Sequence, residues 1–426
     1  MNEEKKKCIV AHPQMQHSMK VAFALKEEGI LQSYQTMLYY GKNAYVNRIY
    51  CALSKNGSVL RFINRCKDSG LDASDVITHT ILGGLILELL ARLDKTGRIY
   101  YSYYVWITGI FAKKVARNAI KGNARLVIMY DYTAKKCFEY LKKHQPSIVK
   151  VLDMSSLPSM TIDQIISNEE NAGYGALFTL KRRRYSKKRC AYYSNEIELA
   201  DYFLTPSRSV TDALLLLGVD KERIIQVPFG VDLQSFTNKD KVYCQNGKVH
   251  FLFVGRMEAA KGICYLIDAF DRLAKKRTDF ILDLVGAACG NEEYIKKEYV
   301  NYHGVVAKQE MIKIYKNADV FVFPSLWEGC SLSLMEAMAS GLPVIATGRS
   351  GVKEFLHDND GGFCIEESNS EQIYHYANWY LDHAEQIPTM GKNAADSIQK
   401  YSWENYFKTV SLSVKEILNE KGEIRK

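Results

Sequence analysis

Short stretches that are apolar at every position, each followed by a helix-period segment, recur along this chain and restrict it to folds built on parallel sheets. Cys8 to Ala11, Leu126 to Tyr130 and Val320 to Phe323 are such stretches. A strand with one wet face alternates apolar and polar residues; unbroken runs need both faces covered, which the helices of βα crossovers supply. Cys8 to Ala11 predicts a strand followed by a helix over Ser18 to Glu28 that ends at Gly29. Strands over Leu126 to Tyr130 and Ile148 to Leu152 flank a helix over Ala134 to Lys143, and a strand over Ala200 to Leu204 leads into a helix over Val210 to Leu217 before Arg223 to Val227. The pattern breaks in the polar, turn-rich stretch Thr237 to Gly247. It restarts with the strand Val249 to Val254, the helix Ile263 to Lys275, the strand Phe280 to Val285, the helix Lys308 to Lys316 and the strand Val320 to Phe323. At 426 residues the chain is too long for one ordinary core. The expected architecture is α/β, with two Rossmann-like domains, 1–238 and 248–400, facing across a cleft. Residues 401–426, carrying a long amphipathic helix over Trp403 to Asn419, are expected to pack back toward the first domain.

Two carboxylates stand out against this framework. After Val320 to Phe323, Ser331 is placed to cap a helix that stops at Gly341, with Pro343 beyond it. Glu336 sits inside that helix among Leu332, Leu334, Met335, Ala337 and Met338, where an ionised carboxyl is costly without a partner. Glu328 lies in the preceding loop, at the carboxyl end of a strand, the place where open α/β sheets bind ligands. Gly329, Cys330 and Ser331 offer backbone N–H groups there. The apolar pattern gives neither acid a structural purpose, so both are expected to meet a ligand. A second signal is Val254-Gly255-Arg256-Met257-Glu258-Ala259-Ala260-Lys261-Gly262, a glycine at the end of a buried strand followed by two cations and a second glycine. Arg256 and Lys261 suit a diphosphate bound without a metal, although a glycine turn with surface cations is by itself a common arrangement.

The hydrophobic fraction of 47%, the charged fraction of 25% and only 8 prolines mark an ordered globular chain. Its ten cysteines show no close pair at zinc or redox spacing and read as reduced thiols of a cytosolic protein. Met1 to Lys7 is charged and the apolar run after it too short for a secretory signal, and Ile81 to Leu93, interrupted by Glu88 and Arg92, falls short of a membrane span. Much of the net charge of +9 is concentrated in Lys181 to Arg189, which reads either as a solvated face or as a contact for an anionic membrane surface or polyanion. No nucleic-acid partner is expected, because no binding motif or interleaved stacking aromatics accompany the charge.

The constellation of Gly255, Arg256, Lys261 and Gly262, then Pro324, Ser325, the Glu328 and Glu336 pair and Gly341-Leu342-Pro343-Val344, resembles the retaining nucleotide-sugar glycosyltransferases of family 4, which have the two-Rossmann GT-B fold. Pro228-Phe229-Gly230-Val231-Asp232 and Ser402-Trp403-Glu404 are similar to the end of that family's first domain and the start of its C-terminal helix. The resemblance implies that Arg256, Lys261 and Glu328 are the catalytic group, the two cations holding the donor diphosphate. It implies that Glu336 binds the ribose, and that Glu328 with Gly255, Gly329, Cys330, Ser331 and Leu332 lines the donor site. Glu354 matches a further acidic position. A front-face, ion-pair-like step would let the leaving phosphate help deprotonate the acceptor.

Two departures follow. His12-Pro13-Gln14-Met15-Gln16-His17-Ser18 stands where the family often has a glycine pair, and Asp153 stands where many members have a histidine near the donor sugar. His17 and Asp153 are therefore the candidates for the acceptor and sugar side, with a turn cap before Ser155 as the alternative role of Asp153. Asp358-Asn359-Asp360 reads as a polar turn rather than a metal motif, and His12 and His17 find no third ligand, so no metal or other cofactor is expected. The aromatic run Tyr100 to Trp106 is read as packing in the first domain. The implied function is sugar transfer from a nucleotide-sugar donor to a hydroxyl acceptor, a lipid-linked saccharide among the candidates, in surface polysaccharide or glycolipid assembly. The expected location is cytoplasmic, at the inner face of the membrane in the peripheral case. A nucleotide-sugar 2-epimerase and a non-catalytic nucleotide-sugar-binding protein are the alternatives on the same fold.

Overall fold

The computed structural model describes residues 7–14, 16–53, 62–64, 66–94, 97–171, 186–237, 241–244, 247–356 and 360–423. Two wholly parallel sheets organise it. The first contains β1 (Cys8–Ala11), β2 (Leu31–Thr36), β3 (Val76–Thr78), β4 (Leu126–Tyr130), β5 (Val149–Asp153), β6 (Tyr202–Thr205) and β7 (Ile224–Gln226) in the order β3-β2-β1-β4-β5-β6-β7. The second contains β8 (Val249–Val254), β9 (Phe280–Val285), β10 (Val300–Gly304), β11 (Val320–Phe323), β12 (Val344–Thr347) and β13 (Gly362–Ile365) in the order β10-β9-β8-β11-β12-β13. In each sheet the chain runs outward from the central strand, then reverses, leaving a crevice at the carboxyl ends beside β1 and β4 and beside β8 and β11. β1, β4 and β11 are buried at every position, as their unbroken apolar sequences require.

Helices cover both sheets. Around the first are α1 (Ser18–Glu27), α2 (Ala44–Leu53), α3 (Ile81–Leu93), α4 (Arg98–Lys121), α5 (Lys135–His144), α6 (Ser159–Glu169), α7 (Lys187–Leu199) and α8 (Arg208–Leu216). Around the second are α9 (Ile263–Ala274), α10 (Lys308–Asn317), α11 (Leu332–Ala339), α12 (Ser370–Asp382) and α13 (Ile387–Ile398). The last helix, α14 (Trp403–Glu423), returns to the first sheet. Its Ser411 hydroxyl donates to the Ala24 carbonyl of α1 at 3.0 Å, and the Arg125 guanidinium donates to the Leu418 carbonyl at 2.8 Å.

Tertiary contacts shift several element limits from their sequence expectations. The strand expected from Ala200 starts at Tyr202, because Ala200 closes α7 and Asp201 turns its carboxylate onto the Lys150 backbone N–H at 2.8 Å. Helix α8 starts two residues before Val210, where the Ser207 hydroxyl accepts from Val210 N at 3.4 Å. Of the basic segment Lys181 to Arg189, residues 181–185 lie outside the described residues, as do Asp358 and Asn359. Among the described residues no helix is long and apolar enough to cross a membrane.

Candidate functional site

The two crevices meet. Gly329, in the loop after β11, lies so close to the loop after β5 that a Cβ on it would come within 2.0 Å of the Ser155 carbonyl oxygen. The sequence-predicted groups flank that contact, one set on each sheet.

On the second sheet, β8 ends at Val254 and the chain turns through Gly255 and a short 3-10 turn, Ala259–Lys261, into α9. Gly262 makes that turn possible. Its φ of +71° is left-handed, and a Cβ would lie 1.9 Å from the Pro324 carbonyl oxygen. The close approach sets Lys261 beside the β11 loop, where its ammonium pairs with Glu328 Oε1. The Ser325 hydroxyl lies 3.0 Å from the same oxygen, and Ser325 is fully buried. The expectation that Glu328 lacks a structural partner is therefore corrected: it is held by a cation and a hydroxyl. Arg256 is not gathered with Lys261. Its side chain is exposed and pairs with Glu258 at 2.7 Å. Gly255 is tightly placed as well, since its carbonyl oxygen would meet a Cβ on Gly286 at 1.9 Å. Gly286, missed in the sequence, is signalled there by its position just after the strand Phe280 to Val285.

The Ser331 hydroxyl caps α11 by accepting from Leu334 N at 3.3 Å. Cys330 is buried, which pushes its thiol up to about 12. Leu332 is exposed rather than packed, so the helix is not buried all round. Glu336, half-buried, also has a partner: the Tyr315 hydroxyl lies 3.1 Å from its Oε2. Burial raises the Glu336 carboxyl to about 7, outweighing the hydroxyl and the charge of Lys308. Lys308 itself pairs with Asp232 at 2.8 Å. Tyr315 and Lys308 come from α10 and Asp232 from the end of the first domain, which is why Glu336 alone was visible in the sequence.

On the first sheet, His17 precedes α1 and Asp153 ends β5, and the structure brings them together: His17 Nε2 lies 3.1 Å from Oδ1 and 3.2 Å from Oδ2. Asp153 does not cap the turn at Ser155. Asp131 does, its Oδ1 accepting from Ser155 N at 3.1 Å and from the Ser155 hydroxyl at 2.6 Å. The His17 ring is wedged between Tyr130 and Phe229, with ring centroids 5.0 Å and 4.6 Å away. His12, at the place of the absent glycine pair, is buried; Gln14 N donates to its Nδ1 at 3.0 Å, and burial pushes the ring down to about 4.

Glu354 ties the domains together. It accepts from the Arg208 backbone N–H at the start of α8, and from Gln226 Nε2 at 2.7 Å. Glu169, which the sequence did not single out, is a second tie, accepting from the hydroxyls of Tyr265 and Ser368 of the second domain. Among the described residues no three His, Cys, Asp or Glu side chains converge as metal ligands.

The arrangement sets a lysine–carboxylate pair against a histidine–carboxylate pair across a narrow contact, with backbone N–H groups and a half-buried carboxylate alongside. The second-sheet half of that arrangement lies in a stretch similar to known proteins. D-inositol 3-phosphate glycosyltransferase of Paenarthrobacter aurescens is 27% identical over 204 residues, 44% of this chain and 50% of that protein. The chain thus spans about half the length of the curated relatives it matches. Sucrose-phosphate synthase of Thermosynechococcus elongatus superimposes with a TM-score of 0.65 at 16% identity, over 97% of this chain and 96% of that one. Anabaena HepE in complex with UDP and glucose does so with a TM-score of 0.61 at 16% identity, over 97% and 100%. Residues 235–397 match the family described as glycosyl transferases group 1, set in a chain with the two-domain α/β GT-B fold.

Proposed function

We propose that this protein is a retaining glycosyltransferase of family 4 that moves a sugar from a nucleoside diphosphate to a hydroxyl acceptor. The observation that carries the reading is the contact of Gly329 with the Ser155 carbonyl, which puts the Lys261–Glu328 pair and the His17–Asp153 pair on the two sides of one cleft. The group 1 match over the second sheet and the UDP and glucose bound by HepE support a nucleotide-sugar donor.

Lys261, with Arg256 swung from Glu258, would neutralise the diphosphate as its bond to the sugar breaks, so its stabilisation grows toward the transition state. Glu336 would accept from the ribose hydroxyls, and the N–H groups of Gly329, Cys330 and Ser331 would face phosphate and sugar. Glu328 orients Lys261 and meets sugar hydroxyls. The His17–Asp153 pair would accept a hydroxyl of the sugar or the acceptor. Departing phosphate can take the acceptor proton on the same face, and no residue here is assigned as a separate base. The acceptor is proposed to be a lipid-linked saccharide, with the enzyme at the cytoplasmic face of a membrane.

The test is a screen of nucleotide sugars by thermal shift, followed by transfer assays with the stabilising donor and NMR assignment of the product anomer. Transfer with retained configuration is expected, and Lys261→Ala should lower kcat by about 10²–10³-fold. Donor binding without transfer to any acceptor, or an inverted product, would overturn the reading.

A further inference from the structure

Helices α2, α3 and α4 pack side by side on the first domain, well apart in sequence from the groups of the site. Gly83 of α3 lies so close to α4 that a Cβ would come within 2.4 Å of Ile107. The outward stripe of α3 is apolar. Leu82, Ile86 and Leu93 recur at the spacing of one helical face, and Leu82 is 76% exposed. Trp106 of α4 is 59% exposed, and Tyr45 and Ile49 project from α2. Seven of the seventeen large hydrophobic residues exposed among the described residues fall between positions 45 and 106. An apolar concentration of this kind on a folded surface marks an interaction face.

Its charge is one-sided. α2 and α3 carry one cation each, Arg48 and Arg92, and α4 carries five, against a single carboxylate, Glu88, which is half-buried. Arg189 at the start of α7 lies over the Tyr101 ring at 5.6 Å, so the exposed Lys187 and Lys188 adjoin the same face. Protein interfaces bury few such cations at their centres. A second copy of the chain would set like charge against like charge in a two-fold contact. Aliphatic residues flanked by Tyr, Trp and cations are instead the chemistry of a bilayer interface.

We propose that the α2–α3–α4 face docks on an anionic lipid bilayer, with Leu82, Ile86 and Trp106 entering the headgroup region while the cations meet lipid phosphates. This deepens the membrane setting proposed above and does not depend on the transfer chemistry. The test is flotation of the full chain with vesicles of phosphatidylglycerol and phosphatidylcholine, or of phosphatidylcholine alone. Partition onto the anionic vesicles only, weakened by salt, is expected. Leu82→Asp with Ile86→Asp, and separately Trp106→Ser, should reduce it roughly tenfold or more. Lys187→Glu with Lys188→Glu should act in the same direction. All these side chains are exposed, and unchanged melting of each variant checks that it folds. Equal partition onto neutral vesicles, variants that bind as the parent does, or a dimer that those substitutions dissociate in a chain without vesicle affinity would overturn the proposal. Failure of the transferase reading appears separately, as absent sugar transfer with vesicle binding intact.

Discussion

Glu336 is the residue where burial and function meet. Its folded-state value of about 7 lies above the ordinary 4.5, so the folded chain holds this proton more tightly than the unfolded one. The group's contribution to stability is whole below about pH 4.5 and is lost as pH rises through about 7. A nucleotide sugar, whose diphosphate does not titrate in this range, should bind the ionised carboxylate through its ribose hydroxyls. Its affinity is expected to weaken roughly tenfold from about pH 8 to about pH 6. Glu336→Gln should remove that dependence and weaken binding at the higher pH. Titration calorimetry across this range checks both, and a parent protein with flat affinity would rule out the assigned role. The sequence marked Glu336 because an acid among apolar residues is anomalous, and Glu328 because its loop follows the carboxyl end of a strand. It could not show Ser325 against Glu328, or Tyr315 against Glu336, because an ordinary serine and tyrosine carry no anomaly of their own.

Among the elements, the turn from β8 into α9 is the most tightly specified. Gly262 combines a left-handed φ of +71° with the Pro324 carbonyl at 1.9 Å from any Cβ. Gly262→Ala is expected to cost about 3 kcal/mol or more and to move Lys261 off Glu328. Thermal melting and donor binding should fall together, and a variant that melts with the parent would show that the loop can yield. This turn was legible as Gly255 and Gly262 around two cations. The pairing of Lys261 with Glu328, and the departure of Arg256 to Glu258, were not. Which cation faces the loop depends on how β8 and β11 lie side by side. Helix α11 was legible down to its cap, since Ser331, the apolar run and Gly341 are local signals. At the start of α5, by contrast, Glu196 of α7 accepts from Ala134 N at 3.0 Å and Lys135 N at 3.1 Å. Nothing in that helix's own sequence announces a cap brought from so far along the chain.

At the scale of the molecule, contacts between the domains set how the crevices face each other, among them Gly329 on Ser155, Glu354 on Arg208 and Gln226, and Glu169 on Tyr265 and Ser368. Gly329→Ala should hold the two loops apart while leaving the second sheet intact. Nucleotide affinity is expected to stay within about twofold while turnover with acceptor falls roughly 10²-fold, the scale of a small misplacement of reacting groups. Steady-state kinetics beside calorimetry separates the two, and unchanged turnover would show that the contact does not set the geometry. The alternation of unbroken apolar runs with amphipathic helices was sufficient by itself for two parallel α/β layers, because burial of both sheet faces is written into central strands such as β1, β4 and β11. The strand-end loops and the apolar helix also marked the two acids and the cations of the glycine turn, while His17 and Asp153 became candidates only through the family resemblance. The tertiary structure alone decided which of these meet. Ion pairs, hydroxyl partners and the approach of Gly329 to Ser155 join positions far apart in the chain, and their energies depend on distance and burial that no local pattern encodes.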